Sequence, residues 1–358
     1  MLFGFTLFKR AKSASERQRD WHGCWSGAFN LLGVGLLETE LVGFYQFSSF
    51  RDRGFSDLWN GTQQNALWKP FCFAIRCNRF ILKGLLMSEP QHFYPLERRP
   101  GEIERLHAQG DALIADTSIM LDRIGVAPGW RCLDLGCGPR GITDLLSTRV
   151  GPTGRVVGLD ADLVFLDHAR HHSNSRGFVN VEFVTSDVFR TGLPAGSFDL
   201  VHTRFVASSV GNAERLLEEC VRLTRPGGCV AFQDADMSTL NCYPSHPAWE
   251  SLKRAFTEVF PHIAGKPWSG HDLYRMVRQA GLEDVQYRPF LVGFRSSEPM
   301  ADYLPATMES VRSALLEKRL IANELDAAIA ECRAHLAAPG TVSTYHTVVQ
   351  VWGTKRVT

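Results

Sequence analysis

The stretch Arg131-Cys132-Leu133-Asp134-Leu135-Gly136-Cys137-Gly138-Pro139-Arg140-Gly141 constrains the fold of this chain more than any other. Arg131 to Leu135 reads as a short buried strand that breaks into a glycine-rich turn, and a helix follows from about Ile142 to Arg149. Gly136 and Gly138 can take backbone angles closed to other residues. They also lack the Cβ atoms that would hold a ligand off the main chain. A turn of this kind, opening onto a helix N-terminus, is a nucleotide-binding device and implies an α/β chain with a parallel sheet.

The string Gly136-x-Gly138-x-x-Gly141, with Asp160 about 20 residues further on, matches the dinucleotide fingerprint. Two features argue against NAD. Asp134 sets a carboxylate at the strand end, where it would repel a pyrophosphate and suit a cationic or ammonium-bearing ligand. Pro139 replaces the flexible residue that lets a helix start under phosphates. The stretch resembles motif I of the class I S-adenosylmethionine-dependent methyltransferases, Asp-x-Gly-x-Gly-x-Gly. Arg140 stands where that pattern has its third glycine, and Gly141 follows one place late.

Four more motifs follow in the order of that family. Arg155 to Asp160 reads as a second strand ending in an acid, and Asp162 caps the next helix. Val181 to Asp187 is a third strand ending in an acid. The turn from Leu193 leads into Ser197-Phe198-Asp199-Leu200-Val201, a fourth strand. A helix over Glu214 to Thr224 leads through Arg225-Pro226-Gly227-Gly228 into a fifth strand, Cys229 to Gln233. The resemblance implies a Rossmann-like, doubly wound, seven-stranded sheet with its last strand antiparallel. It also implies S-adenosyl-L-methionine as cofactor and a function like that of the ubiquinone and menaquinone biosynthesis methyltransferases. The cofactor residues it implies are Asp134, Gly136, Cys137, Gly138, Asp160, Ala161, Asp187, Val188 and Thr203. Within that set Asp160 would take the ribose hydroxyls, and Asp187 with the Val188 amide would take the adenine. In that family a preceding helix often lids the cofactor, which makes Tyr94, Arg105 and Gln109 candidates to reach it, the alternative being surface polar residues on a packing helix.

Domain boundaries follow from texture. Residues 1–86 hold about half of the 23 Phe and half of the 8 Trp without helical or strand period. They read as an extension: either a mis-annotated start upstream of Met87, or an aromatic-rich segment that docks a partner. An apolar start followed by Lys9-Arg10 inverts the order of a signal peptide. Residues 87–128 are expected to form lid helices, with apolar positions from Ile103 to Ile124 at helical spacing. Residues 129–240 form the cofactor core. Residues 241–358 complete the sheet through strands Val285 to Phe294 and Val342 to Trp352, with a helical pair inserted at 298–338.

Substrate chemistry is expected at the carboxyl ends of the strands. The catalytic candidates there are Arg204, Asp236 and His202, with Asp234, Tyr243 and His246 ranked behind them. Arg204 would anchor an acidic or carbonyl group. The apolar inserted pair favours a hydrophobic or bulky small molecule and equally fits a homodimer interface or plain packing. A net charge of +1 gives no footprint for nucleic acid. The nine cysteines show no metal spacing and read as reduced thiols in a cytoplasmic protein. No run approaches the roughly 18 apolar residues of a membrane span. The reading is methyl transfer to a small organic molecule at O, N or C. The alternatives are a nucleic-acid methyltransferase and a non-catalytic regulatory protein that binds the cofactor.

Overall fold

The computed structural model describes residues 35–37, 40–42, 96, 101–264, 270–318 and 324–357. The chain divides into two units, 1–91 and 92–358. In the first, β1 (Gly35–Leu37) pairs antiparallel with β2 (Glu40–Val42). The rest of the aromatic extension, and Tyr94, lie outside the described residues.

The second unit opens with α1 (Glu102–Ile124), closed by Gly125 in the left-handed region. There follow β3 (Arg131–Leu135), α2 (Thr143–Val150), β4 (Arg155–Asp160), α3 (Leu163–Ser175), β5 (Val181–Thr185), β6 (Phe198–Arg204), α4 (Ala213–Leu223) and β7 (Thr224–Asp236). The chain continues through β8 (Asn241–Tyr243), α5 (Pro247–Ala264), α6 (Gly270–Gln279), β9 (Glu283–Phe290) and β10 (Gly293–Arg295). It ends with α7 (Tyr303–Ser310), α8 (Arg312–Glu317), α9 (Leu325–Ala337), β11 (Val342–Thr344) and β12 (Thr347–Thr354). The seven-stranded sheet has the order β5-β4-β3-β6-β7-β12-β9. Strand β12 runs antiparallel to both β7 and β9, as expected of the last strand.

Strand alternation divides the sheet's side chains between two faces. Leu133, Leu135, Val157, Leu159, Val201, Phe232, Val349 and Val351 pack with α4 and α6 on one face. Cys132, Val156, Leu200, Ala231 and Trp352 pack with α1 and α2 on the other. Each fully buried aliphatic side chain contributes roughly 1.5–3 kcal/mol. Helices α5 and α7 to α9 enclose a separate apolar cluster around Trp249, Phe256 and Met308.

Three expectations need correcting. Val285 to Phe294 and Val342 to Trp352 are not single strands. Each breaks where the chain leaves the large sheet, and β10, β11 and β8 form a second, three-stranded antiparallel sheet. The corner falls at Tyr345-His346, both buried, where the Tyr345 amide donates to Val292 O at 2.9 Å. A chain that passes from one sheet to another must bend, and a β-branched run does not reveal the place. The inserted pair is three helices, with α7 and α8 parted at Val311. The buried face of α1 is also not the apolar one. Ile114 and Ile119 are exposed, while Glu102, Arg105, Gln109 and Thr117 are buried with Leu113, Met120 and Leu121.

The partners of that face explain why it is polar. Under α1, five adjacent strands each contribute one polar side chain: Asp134, His202, Gln233, Gln350 and Arg288. Gln350 stands opposite both Gln233 and Arg288, and Asp134 is in register with His202. Their hydrogen bonds run in one direction. Arg288 donates to Gln350 Oε1 at 2.9 Å. The Gln350 amide donates to Gln233 Oε1 at 2.8 Å and to the Asp116 carbonyl at 2.9 Å. Thr117 also donates to Gln233 Oε1, at 3.1 Å. The Gln233 amide meets His202 Nε2 at 2.9 Å, and His202 Nδ1 meets Asp134 at 2.8 Å. The network assigns the donor roles: Gln233 has no acceptor lone pair facing the imidazole, so Nε2 accepts and Nδ1 donates. Arg288 closes the far end with an ion pair to Asp116 of α1.

A buried row in which every member is satisfied is costly to break at one place. Gln350→Leu leaves the Asp116 carbonyl and Gln233 Oε1 each short of a donor and Arg288 short of an acceptor. It is expected to destabilise the protein by about 2–4 kcal/mol, read from urea unfolding.

Candidate functional site

The glycine loop forms around the Asp134 carboxylate. Gly136 and Cys137 donate their amides to Leu159 O at 2.7 and 2.9 Å, which ties the loop to the neighbouring strand. Asp134 is 1% exposed; one oxygen is engaged by His202 and the other accepts from the Ile142 amide at 2.8 Å. The carboxylate is thus turned into the fold and is not open to the cationic ligand that its strand-end position suggested. Asp134 acts on the loop, and its charge meets a ligand only through what it shapes. Gly141 has φ +59°, and a Cβ there would overlap Asp134 Oδ2. It thus supplies the close approach that the resemblance assigns one place earlier. Arg140 instead reaches out to ion-pair with Asp111 on α1.

Acids stand at successive strand tips. Asp160 accepts from the Gly138 amide at 2.8 Å and from the Asp162 amide at 2.9 Å. Burial pushes its carboxyl up, and those amide bonds pull it back. It links the glycine loop to the start of α3, where Asp162 caps the Val164 and Phe165 amides. Asp187 accepts from Phe189 N at 2.8 Å with one oxygen. Val188 is buried and Ala161 exposed. Cys137 is buried beside Gly158, and burial holds its thiol well above the ordinary range. A Cβ on Gly138 would meet nothing within 4 Å, so the main chain there lies open.

On the acceptor side the candidates separate. His202 is wholly buried with both ring nitrogens engaged, so it holds Asp134 in place and touches nothing outside the row. Asp234 accepts from the Ser208 amide at 3.0 Å and the Ala235 amide at 2.8 Å, which staples the loop after β6. Burial pushes its carboxyl up to about 6. Asp236 caps the turn at Ser238 through both the amide and the hydroxyl. Tyr243 is exposed, and His246 stacks on His335 with centroids 4.4 Å apart. Of these three only Asp236, which ends β7, stands at a strand tip. Arg204 ends β6 and its guanidinium lies against the glycine loop, donating to Gly141 O at 3.3 Å. Thr203 beside it has a buried hydroxyl with no partner.

A cluster unforeseen from the sequence closes this end. Gln109 of α1 donates to the Tyr345 hydroxyl at 2.6 Å, and Arg105 forks onto Glu102 at 2.7 and 3.0 Å. Tyr345 packs edge-on against Tyr303 and Phe205. Tyr303 OH lies 3.1 Å from His346 Nε2. Arg105 and Gln109 are thus buried between α1 and the β11–β12 corner. The signal available was a polar Tyr-His pair interrupting the β-branched run from Val342 to Val349.

A family model described as a methyltransferase domain matches residues 133–232, the stretch that carries the loop, Asp160, Asp187 and Arg204. Residues 133–232 thus carry a methyltransferase domain, of the class I S-adenosylmethionine-dependent type. The chain is 32% identical over 202 residues to an uncharacterized 37.1 kDa protein in a Streptomyces fradiae transposon, matching 56% of this chain and 57% of that one. It is 28% identical to a demethylmenaquinone methyltransferase of Geobacillus stearothermophilus, over 49% of this chain and 80% of that one. Against an arsenite methyltransferase of Halobacterium salinarum the identity is 26%, over 53% and 48%. The site suits the cofactor of this methyltransferase family: open main chain at Gly138, an acid at the β4 tip and an unmatched hydroxyl at Thr203.

Two outcomes are expected of this methyltransferase site. Gly141→Ala forces Cβ onto Asp134. It should lower the melting midpoint and weaken S-adenosylhomocysteine binding at least tenfold by calorimetry. Gly138→Ala costs only the left-handed backbone, about 1–2 kcal/mol. The second concerns pH. Burial pushes the His346 imidazole down to about 3, against the pull of Asp236. Its neutral form therefore contributes stability in full above about 6.5, and that contribution is lost as pH falls from 6.5 towards 3. Asp234, displaced upward, acts in the opposite direction between about 4 and 6, so a comparison with a variant isolates the histidine. Between pH 6.5 and 5 the stability of the wild type relative to His346→Gln should fall by about 2 kcal/mol in urea unfolding.

Proposed function

We propose that this chain transfers a methyl group from S-adenosylmethionine to a small organic acceptor. The observation that carries the reading is the loop from Gly136 to Gly141. It lies at the β3–β6 junction, the strand-order switch where open α/β sheets bind ligands. When bound, the cofactor supplies an electrophilic methyl on a sulfonium together with its own leaving group. The chain's residues then bind, orient and exclude water. Asp160 would take the ribose hydroxyls, Asp187 and the Val188 amide the adenine, and the main chain at Gly136 to Gly138 the remainder. His202 and Asp234 are committed to internal hydrogen bonds, so neither is assigned an acceptor proton. The relatives named for demethylmenaquinone and arsenite support the small-molecule half of the reading. A net charge of +1 favours it over a nucleic-acid acceptor.

Asp160→Asn should weaken S-adenosylhomocysteine binding by about 1–3 kcal/mol, since a charged acceptor is lost from the ribose. 5′-Methylthioadenosine keeps the ribose and should weaken equally. Calorimetry with both ligands checks the role, and an unchanged dissociation constant would remove it. Transfer of labelled methyl from S-adenosylmethionine to a panel of small molecules tests the activity.

A further inference from the structure

Arg204 stands out among the cations of the second unit. It ends β6, next to β3, at the switch in strand order. Desolvation lowers its pKa, with Arg140 acting in the same direction and Asp134 and Tyr345 against it, yet it stays partly accessible. A guanidinium has five N–H donors in a fixed fork, suited to bidentate pairing with a carboxylate. Arg204 makes one hydrogen bond to the described residues, to Gly141 O, and no ion pair. The Asp134 charge lies near it, but both Asp134 oxygens are engaged elsewhere. A Cβ on Gly110 of α1 would stand 3.6 Å from its Nη2, so the helix presses against the guanidinium without offering it an acceptor. The next residue, Phe205, has φ +58°, a left-handed conformation costly for an aromatic side chain. It is held there by its amide on Gln233 O at 2.9 Å and by Ser209 on its carbonyl at 2.6 Å. A half-buried charge with one hydrogen bond and no ion pair is expensive for a fold to keep.

We propose that Arg204 is a carboxylate receptor of the crevice between the glycine loop and the β6 tip. The carboxylate belongs either to the amino-acid tail of the cofactor or to an acidic acceptor. The inference rests on the cofactor reading above and deepens it.

The test compares the wild type with Arg204→Gln and Arg204→Lys by calorimetry, using S-adenosylhomocysteine and 5′-methylthioadenosine, which lacks the amino-acid tail. If the tail is the source, Arg204→Gln weakens S-adenosylhomocysteine at least tenfold, changes 5′-methylthioadenosine by less than twofold, and Arg204→Lys falls between. If the acceptor is the source, S-adenosylhomocysteine is unchanged, and benzoate titrated into the S-adenosylhomocysteine-saturated protein binds at least fivefold more weakly to Arg204→Gln. In both cases the ligand-free variant melts no lower than the wild type, because a half-buried charge with no ion pair has been removed. Three results overturn the proposal: both nucleosides weakened alike, neither nucleoside nor benzoate affected, or a ligand-free variant that melts markedly lower. A wild type that binds neither nucleoside defeats the cofactor reading itself, which is a distinguishable result.

Discussion

The carboxylate of Asp134 holds the working end of this molecule together. It lies one residue before the end of β3, accepts the amide of Ile142 just ahead of α2, and receives the imidazole of His202 from the adjacent strand. Gly141 is glycine because nothing larger fits against that oxygen. The shape of the loop is thus set from below by a buried charge. That charge is tolerable in the interior because two hydrogen bonds and a polar row surround it. The row continues through Gln233 and Gln350 to Arg288 and ends on the helix lying over it.

Two sets of polar groups therefore do different work. Asp134, His202, Gln233, Gln350, Arg288, Asp116 and Thr117 satisfy one another and fix geometry. Arg204 and Thr203, at the tip of β6, are left with donor capacity that the described residues do not use. The first set keeps the loop in its conformation; the second faces the place where ligand chemistry is expected. Asp234 belongs with the first set although it lies beside the second, because it holds the main chain of the loop after β6.

Much of the sheet was legible in the sequence. Strand β3 runs into a glycine turn, β4 ends in Asp160 before a helix capped by Asp162, and β6 leads to a helix capped by Asn212, and those signals are local. Asp160 and Asp187 were legible for the same reason. The direction in which Asp134 points was not read, although alternation places it on the face of Cys132, towards α1. The buried face of α1 was hidden because hydropathy assumes that buried means apolar. Here Gln109 and Thr117 are buried against polar partners more than 100 positions away in the chain. The corner at Tyr345-His346 was obscured by a run of β-branched residues that looks like one strand and serves two sheets.

Helix α1 is moored along its length. Arg140 grips Asp111, Arg288 grips Asp116, Thr117 reaches Gln233, and Arg149 meets Asp122 near its end. A helix fastened at four depths behaves as masonry: to swing it aside would tear open the buried row that shapes the glycine loop. Traffic of small molecules to and from the crevice must pass while this wall stands still.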